Sequence, residues 1–153
     1  MKKLSTILFA LVISGCAATG PIYQAAPEPI ETDALVYIYR PGAFAFSAQD
    51  AYFYVDGVNI TDLTNEGYTW FHAPAGEHTL KQKWFGIFAK TLEKKTNWLP
   101  RQTYFYRLEI STGLIVQRWS LSEVPAERAR AEIACCKLQP AFGAEKLQQA
   151  TKK

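Results

Sequence analysis

Gly67-Tyr68-Thr69-Trp70-Phe71-His72-Ala73-Pro74-Ala75-Gly76-Glu77-His78-Thr79-Leu80-Lys81-Gln82-Lys83-Trp84 reads as a strand, a turn and a second strand. Successive side chains on a strand point to opposite faces. From Glu77 to Trp84 this alternation is clean. His78, Leu80, Gln82 and Trp84 share one face, with Thr79, Lys81 and Lys83 on the other. Gly67 to Ala73 is rich in aromatic residues, and Pro74-Ala75-Gly76 carries turn chemistry.

The same grammar runs outward in both directions. Ala34 to Tyr39 is a near-continuous apolar run, which suits a strand buried on both faces, and Arg40-Pro41-Gly42 ends it. A nearly uncharged loop, Ala43 to Asp50, holds Phe44 and Phe46. Ala51 to Val55 and Val58-Asn59-Ile60 flank Asp56-Gly57, a hairpin signal. Downstream, Trp84-Phe85-Gly86-Ile87-Phe88 is an unusually greasy connection. Ala89 to Asn97 is predicted to be an edge strand, because Lys90, Lys94 and Lys95 deter edge-to-edge pairing. Tyr104, Tyr106, Leu108 and Ile110 share a strand face, and Gly113 leads into a last strand from Leu114 to Ser122. The fold class is therefore mainly β: a small antiparallel β-sandwich of about seven or eight strands at a spacing of roughly 8–12 residues.

One C-terminal helix is expected after Pro125, with Ala126, Ala129, Ile133 and Cys136 along its core-facing seam. Residues 34–136 then form the domain, and residues 137–153 a polar tail that frays or holds a weak second helix from Ala144 to Ala150.

The N-terminus has the layout of a secretory signal peptide: Lys2 and Lys3, then an apolar run from Leu4 to Ser14. That run is about half of the roughly 20 residues a spanning helix needs. Ile13-Ser14-Gly15-Cys16 resembles the lipobox of bacterial lipoproteins. The resemblance implies cleavage of residues 1–15 between Gly15 and Cys16, and acylation of Cys16 on its thiol and its new amine. The covalent lipid would be the protein's membrane anchor, and no other cofactor is expected. Two acyl signals suffice for stable anchoring, at about 0.8 kcal/mol per buried CH₂. Ala17 stands where an Asp would usually retain such a lipoprotein in the inner membrane, which implies the outer membrane with the domain facing the periplasm. Residues 16–33, rich in Ala and Pro, read as a tether able to hold the domain as far as roughly 50 Å from the bilayer. The alternative is that part of it packs on the domain through Ile22 and Tyr23.

The 153 residues carry 17 Lys+Arg and 14 Asp+Glu, a formal net charge of +3. Cleavage removes two of those lysines and no acid, so the mature chain is close to neutral, about +1. The charge footprint of nucleic-acid binding is absent. The expected partners are the membrane, envelope proteins or peptidoglycan.

No hydrolase motif, phosphate loop or zinc-protease helix occurs in the chain, and no enzyme is expected. His72 and His78 flank one turn, but two ligands without a further cluster fall short of a zinc site. Cys135 and Cys136 are neighbours on the helix, so one faces the core and the other is exposed. Core packing and a disulfide both stay open for them. The candidate interaction patch is Phe44, Phe46, Trp84, Phe85 and Phe88. Exposed together these side chains would mark a partner or membrane site; folded inward they would close the ends of the sandwich.

Val36-Tyr37-Ile38-Tyr39-Arg40-Pro41-Gly42, Tyr54-Val55-Asp56-Gly57 and Ala73-Pro74-Ala75-Gly76-Glu77-His78-Thr79-Leu80 together resemble a bacterial lipoprotein family built on a small domain of unknown function. Asp56 to Leu80 is also similar to PEGA-type envelope domains. The first resemblance implies no activity, and the second implies surface or wall interactions. The expected role is a non-enzymatic envelope interaction or structural module, with a cell-wall or glycan-binding module and an accessory subunit of an envelope complex as alternatives.

Overall fold

The computed structural model describes residues 18–85, 91–112 and 117–151. Nine strands and two helices follow in order: β1 (Asp33–Arg40), β2 (Ala51–Val55), β3 (Val58–Leu63), β4 (Gly67–Pro74), β5 (Gly76–Trp84), β6 (Leu92–Trp98), β7 (Thr103–Thr112), β8 (Gln117–Glu123), α1 (Ala126–Ile133), β9 (Lys137–Leu138) and α2 (Ala144–Thr151). One sheet has the order β8-β7-β1-β4-β9 and the other β3-β2-β5-β6. The class is the expected one, a mainly β sandwich of two sheets. Ala89 and Lys90, at the start of the expected sixth strand, lie outside the described residues. So does the Gly113 turn.

All eight residues of β1 are buried, as its two-faced apolar run demands. Ala34, Val36 and Ile38 face the core between the sheets, where they meet Phe53, Leu80 and Trp98. Leu35, Tyr37 and Tyr39 face the other way, into a second cluster with Tyr68, Phe105, Ala129 and Ile133. Helix α1 supplies the cover. Its Glu132 accepts the Tyr39 hydroxyl at 2.7 Å. Asp56 and Gly57 both have positive φ, 49° and 84°, as a two-residue type I′ hairpin requires.

One expectation is corrected, and two open alternatives are decided. Pairing is not wholly antiparallel, since β1 runs parallel to β7 and β4 to β9. The β6–β7 turn lies at the end where β1 begins, so β7 starts beside β1 and travels with it. Leu35 N–H to Gln102 O (2.9 Å) and Arg101 N–H to Asp33 O (2.9 Å) lock that start.

Of the two readings of residues 137–153, the second helix is the one found. Residues 137–138 add a strand, and a second helix, α2, packs against β3 and β4. Its Leu147 is fully buried in the central core. Gly143 makes this possible, because a Cβ there would stand 1.9 Å from Asn59 O.

Part of the tether packs on the domain, the alternative given above, through Tyr23, while Ile22 stays 65% exposed. Ala18 is buried, Tyr23 N–H donates to Cys136 O (3.1 Å), and Ala26 N–H donates to the Tyr37 hydroxyl (2.7 Å). Tyr23 also stands edge-on to Tyr68, at 5.4 Å between ring centroids. Residues 18–26 thus lie along the outer face of the larger sheet. Aromatic side chains outweigh the Ala/Pro composition, since each contact withdraws apolar area from water.

Candidate functional site

Four chain crossings gather at one end of the sandwich. Arg40 pairs with Gly67 and Ala51 with Trp84, which puts the end of β1, the start of β2, the start of β4 and the end of β5 together. The loop from 41 to 50 and the chain leaving β5 therefore emerge side by side.

Arg40 organises this end. It sits on the inner face of β1, fully buried. Its Nη1 donates to Gln49 O (2.6 Å) and Leu63 O (3.3 Å), and its Nη2 to Phe46 O (2.6 Å). The guanidinium also lies 4.9 Å from the centroid of the Trp84 ring, a cation–π contact. Burial pulls its pKa down to about 10, with nearby Asp50 pulling upward, so it stays charged at neutral pH. One planar fork thus ties the loop to β3 and β5.

Above Arg40 lies a layer of stacked rings. Phe46 stacks on Trp84 at 4.9 Å and meets Trp119 edge-on at 5.7 Å. Trp84 is only 5% exposed. The five-residue patch expected from the sequence is therefore divided. Phe46 and Trp84 seal the sandwich, whereas Phe44 is 99% exposed and Phe85 81%. Phe88 lies outside the described residues, as do Gly15 and Cys16.

The histidines are parted. His72, on β4, faces outward beside Trp70, at 6.0 Å between centroids. His78, on β5 in the other sheet, faces inward and stacks on Trp98 at 4.6 Å. The His78 ring bridges Asp56 Oδ2 (2.6 Å, through Nδ1) and Pro74 O (2.9 Å, through Nε2). Asp56 Oδ1 also accepts Thr79 N–H at 2.8 Å. Both ring nitrogens are occupied in joining two turns, so His78 is a brace at the far end of the sandwich. Among the described residues no group of three or more His, Cys, Asp or Glu is placed to hold a metal. Cys135 is exposed and Cys136 buried, both as free thiols, and burial pushes Cys136 up to about 12.

Sequence reasoning missed Arg40, which it took only as the first residue of a turn signal. It also missed Glu132, which accepts from Tyr39, from Arg128 (2.7 Å) and from Arg107 (3.3 Å). The available signal for Arg40 was position: it continues the inward-facing series Ala34, Val36, Ile38.

A two-sheet sandwich, braced at one end by His78 and closed at the other by stacked rings, is a compact β module. The chain belongs to the family described as "Protein of unknown function (DUF2846)", whose model matches residues 31–119, from just before β1 into β8. No curated protein and no solved structure matches it.

Proposed function

We propose that this chain is an outer-membrane lipoprotein, acylated on Cys16 after cleavage beside Gly15. Its domain faces the periplasm as a non-enzymatic interaction or structural module. The observation that carries the interaction half is the exposure of Phe44 and Phe85 above a ring layer that is already packed. Neither ring is needed to seal the core, and keeping both in water forgoes about 1.5–3 kcal/mol apiece that burial would contribute. The lipobox resemblance at Ile13-Ser14-Gly15-Cys16 supports the anchor. Cys16→Ser should abolish acyl labelling and release the chain from the membrane fraction. Unchanged labelling would defeat the proposal.

Wall binding has one feature in its favour. A shallow, largely apolar groove of about 410 Å³, lined by Pro21, Trp70, Leu138, Gln139, Pro140 and Ala141, offers an indole on which a sugar ring could stack. Saturable sedimentation with purified sacculi, lost in Trp70→Ala, would support it. A domain that stays in the supernatant would remove it.

A further inference from the structure

The chain enters the fold at the aromatic end. Ala18 is 1% exposed, and its N–H donates to Asn65 O at 3.1 Å. The Asn65 side chain accepts Ala43 N–H at 3.0 Å, next in sequence to Phe44. Asn65 therefore joins Ala18 to the loop that presents Phe44. Cys16 precedes Ala18 by two residues, and two residues of fully extended chain reach about 7 Å at most. A lipid on Cys16 would thus hold the bilayer surface beside Phe44 and Phe85, with no stand-off left to separate them.

From this placement we propose that Phe44 and Phe85 insert into the interfacial layer of the membrane that holds the Cys16 lipid, so that the sandwich sits end-on upon it. The proposal rests on the acylation of Cys16 proposed above. A lipid surface suits this end better than a protein or glycan. The exposed rings stand on a sealed layer and do not line the groove described above, and a bilayer requires no complementary shape. The loop is also held for the task. Ser47 N–H to Phe44 O (3.3 Å) and Gln49 N–H to Phe46 O (3.0 Å) shape it, and the Arg40 fork fixes it from below. The anchor makes the contact intramolecular, so two rings too weak to bind alone act at high effective concentration.

The test uses the mature acylated chain in vesicles of phosphatidylethanolamine and phosphatidylglycerol. A nitroxide is placed through Ala48→Cys in the exposed loop, or through Ala75→Cys at the opposite end, with Cys135→Ser removing the other exposed thiol. The expected result is a several-fold higher ratio of oxygen to nickel-chelate accessibility at position 48 than at 75. In Phe44→Ser/Phe85→Ser this excess should be lost while the protein still pellets with the vesicles. A fully aqueous label at 48 in a protein that does pellet would overturn the docking and leave the anchor standing. Failure to acylate or to pellet would overturn the anchor, and the docking with it. A label protected only when sacculi are added would assign the surface to the wall and refute the proposal.

Discussion

Replacing Arg40 should loosen the aromatic end in a way that separates geometry from charge. The guanidinium makes two 2.6 Å bonds to Phe46 O and Gln49 O and a longer one to Leu63 O. Hydrogen bonds to a charged group contribute about 1.5–3 kcal/mol each, so the two short ones are worth about 3–6 kcal/mol. Against this stands burial of the charge. The fall in its pKa to about 10 corresponds to about 3 kcal/mol against the charged form. Arg40→Ala removes both and leaves a void beneath Trp84, so a net loss of about 2–3 kcal/mol is expected. Arg40→Met fills most of that volume and should lose about 1 kcal/mol less. Arg40→Lys keeps the burial cost but cannot fork between two carbonyls, so it should fall as far as Arg40→Ala. Urea unfolding of the mature chain with Cys16→Ser, followed by tryptophan fluorescence, measures all three at unchanged m. A Lys variant within about 0.5 kcal/mol of the parent would refute the fork, because a point charge would then have sufficed.

Other consequences can be checked in the same assay. Burial works to raise the Glu132 carboxyl, but the Tyr39 hydroxyl, Arg128 and Arg107 outweigh it and hold the group below its ordinary value of 4.5. A depressed folded pKa means the stabilisation is present above 4.5 and lost as pH falls through the folded value, so Glu132→Gln should flatten the acid limb of a stability–pH curve. An unchanged limb would count against the Tyr39–Glu132 link. Gln82 is fully buried with neither amide atom bonded among the described residues, so Gln82→Met should raise stability by about 1–2 kcal/mol; a fall in the urea midpoint would show that the amide is satisfied. Leu147→Ala should cost about 2–5 kcal/mol if α2 belongs to the core, whereas a frayed tail would show almost no change.

Local chemistry determined much of this protein in advance. The alternation from Glu77 to Trp84, the Asp56-Gly57 turn and the apolar run at Ala34–Tyr39 act over a few residues, and each produced the expected element. The ordering of strands into two sheets did not come from such signals. The parallel union of β1 with β7 joins residues that are remote in sequence, and no periodicity records it. For residues 18–26 and 144–151 the sequence leaves packing and fraying both open, because their composition is weakly apolar. Their fixed positions come from what they meet: Tyr37 and Tyr68 for the first, β4 of one sheet and β3 of the other for the second. The aromatic end shows the same division. Its sequence announced five rings, but burial depends on which neighbours are within reach. Only the tertiary structure could turn Phe46 and Trp84 inward over Arg40 and leave Phe44 and Phe85 in water, at the end of the sandwich where Ala18 meets Asn65.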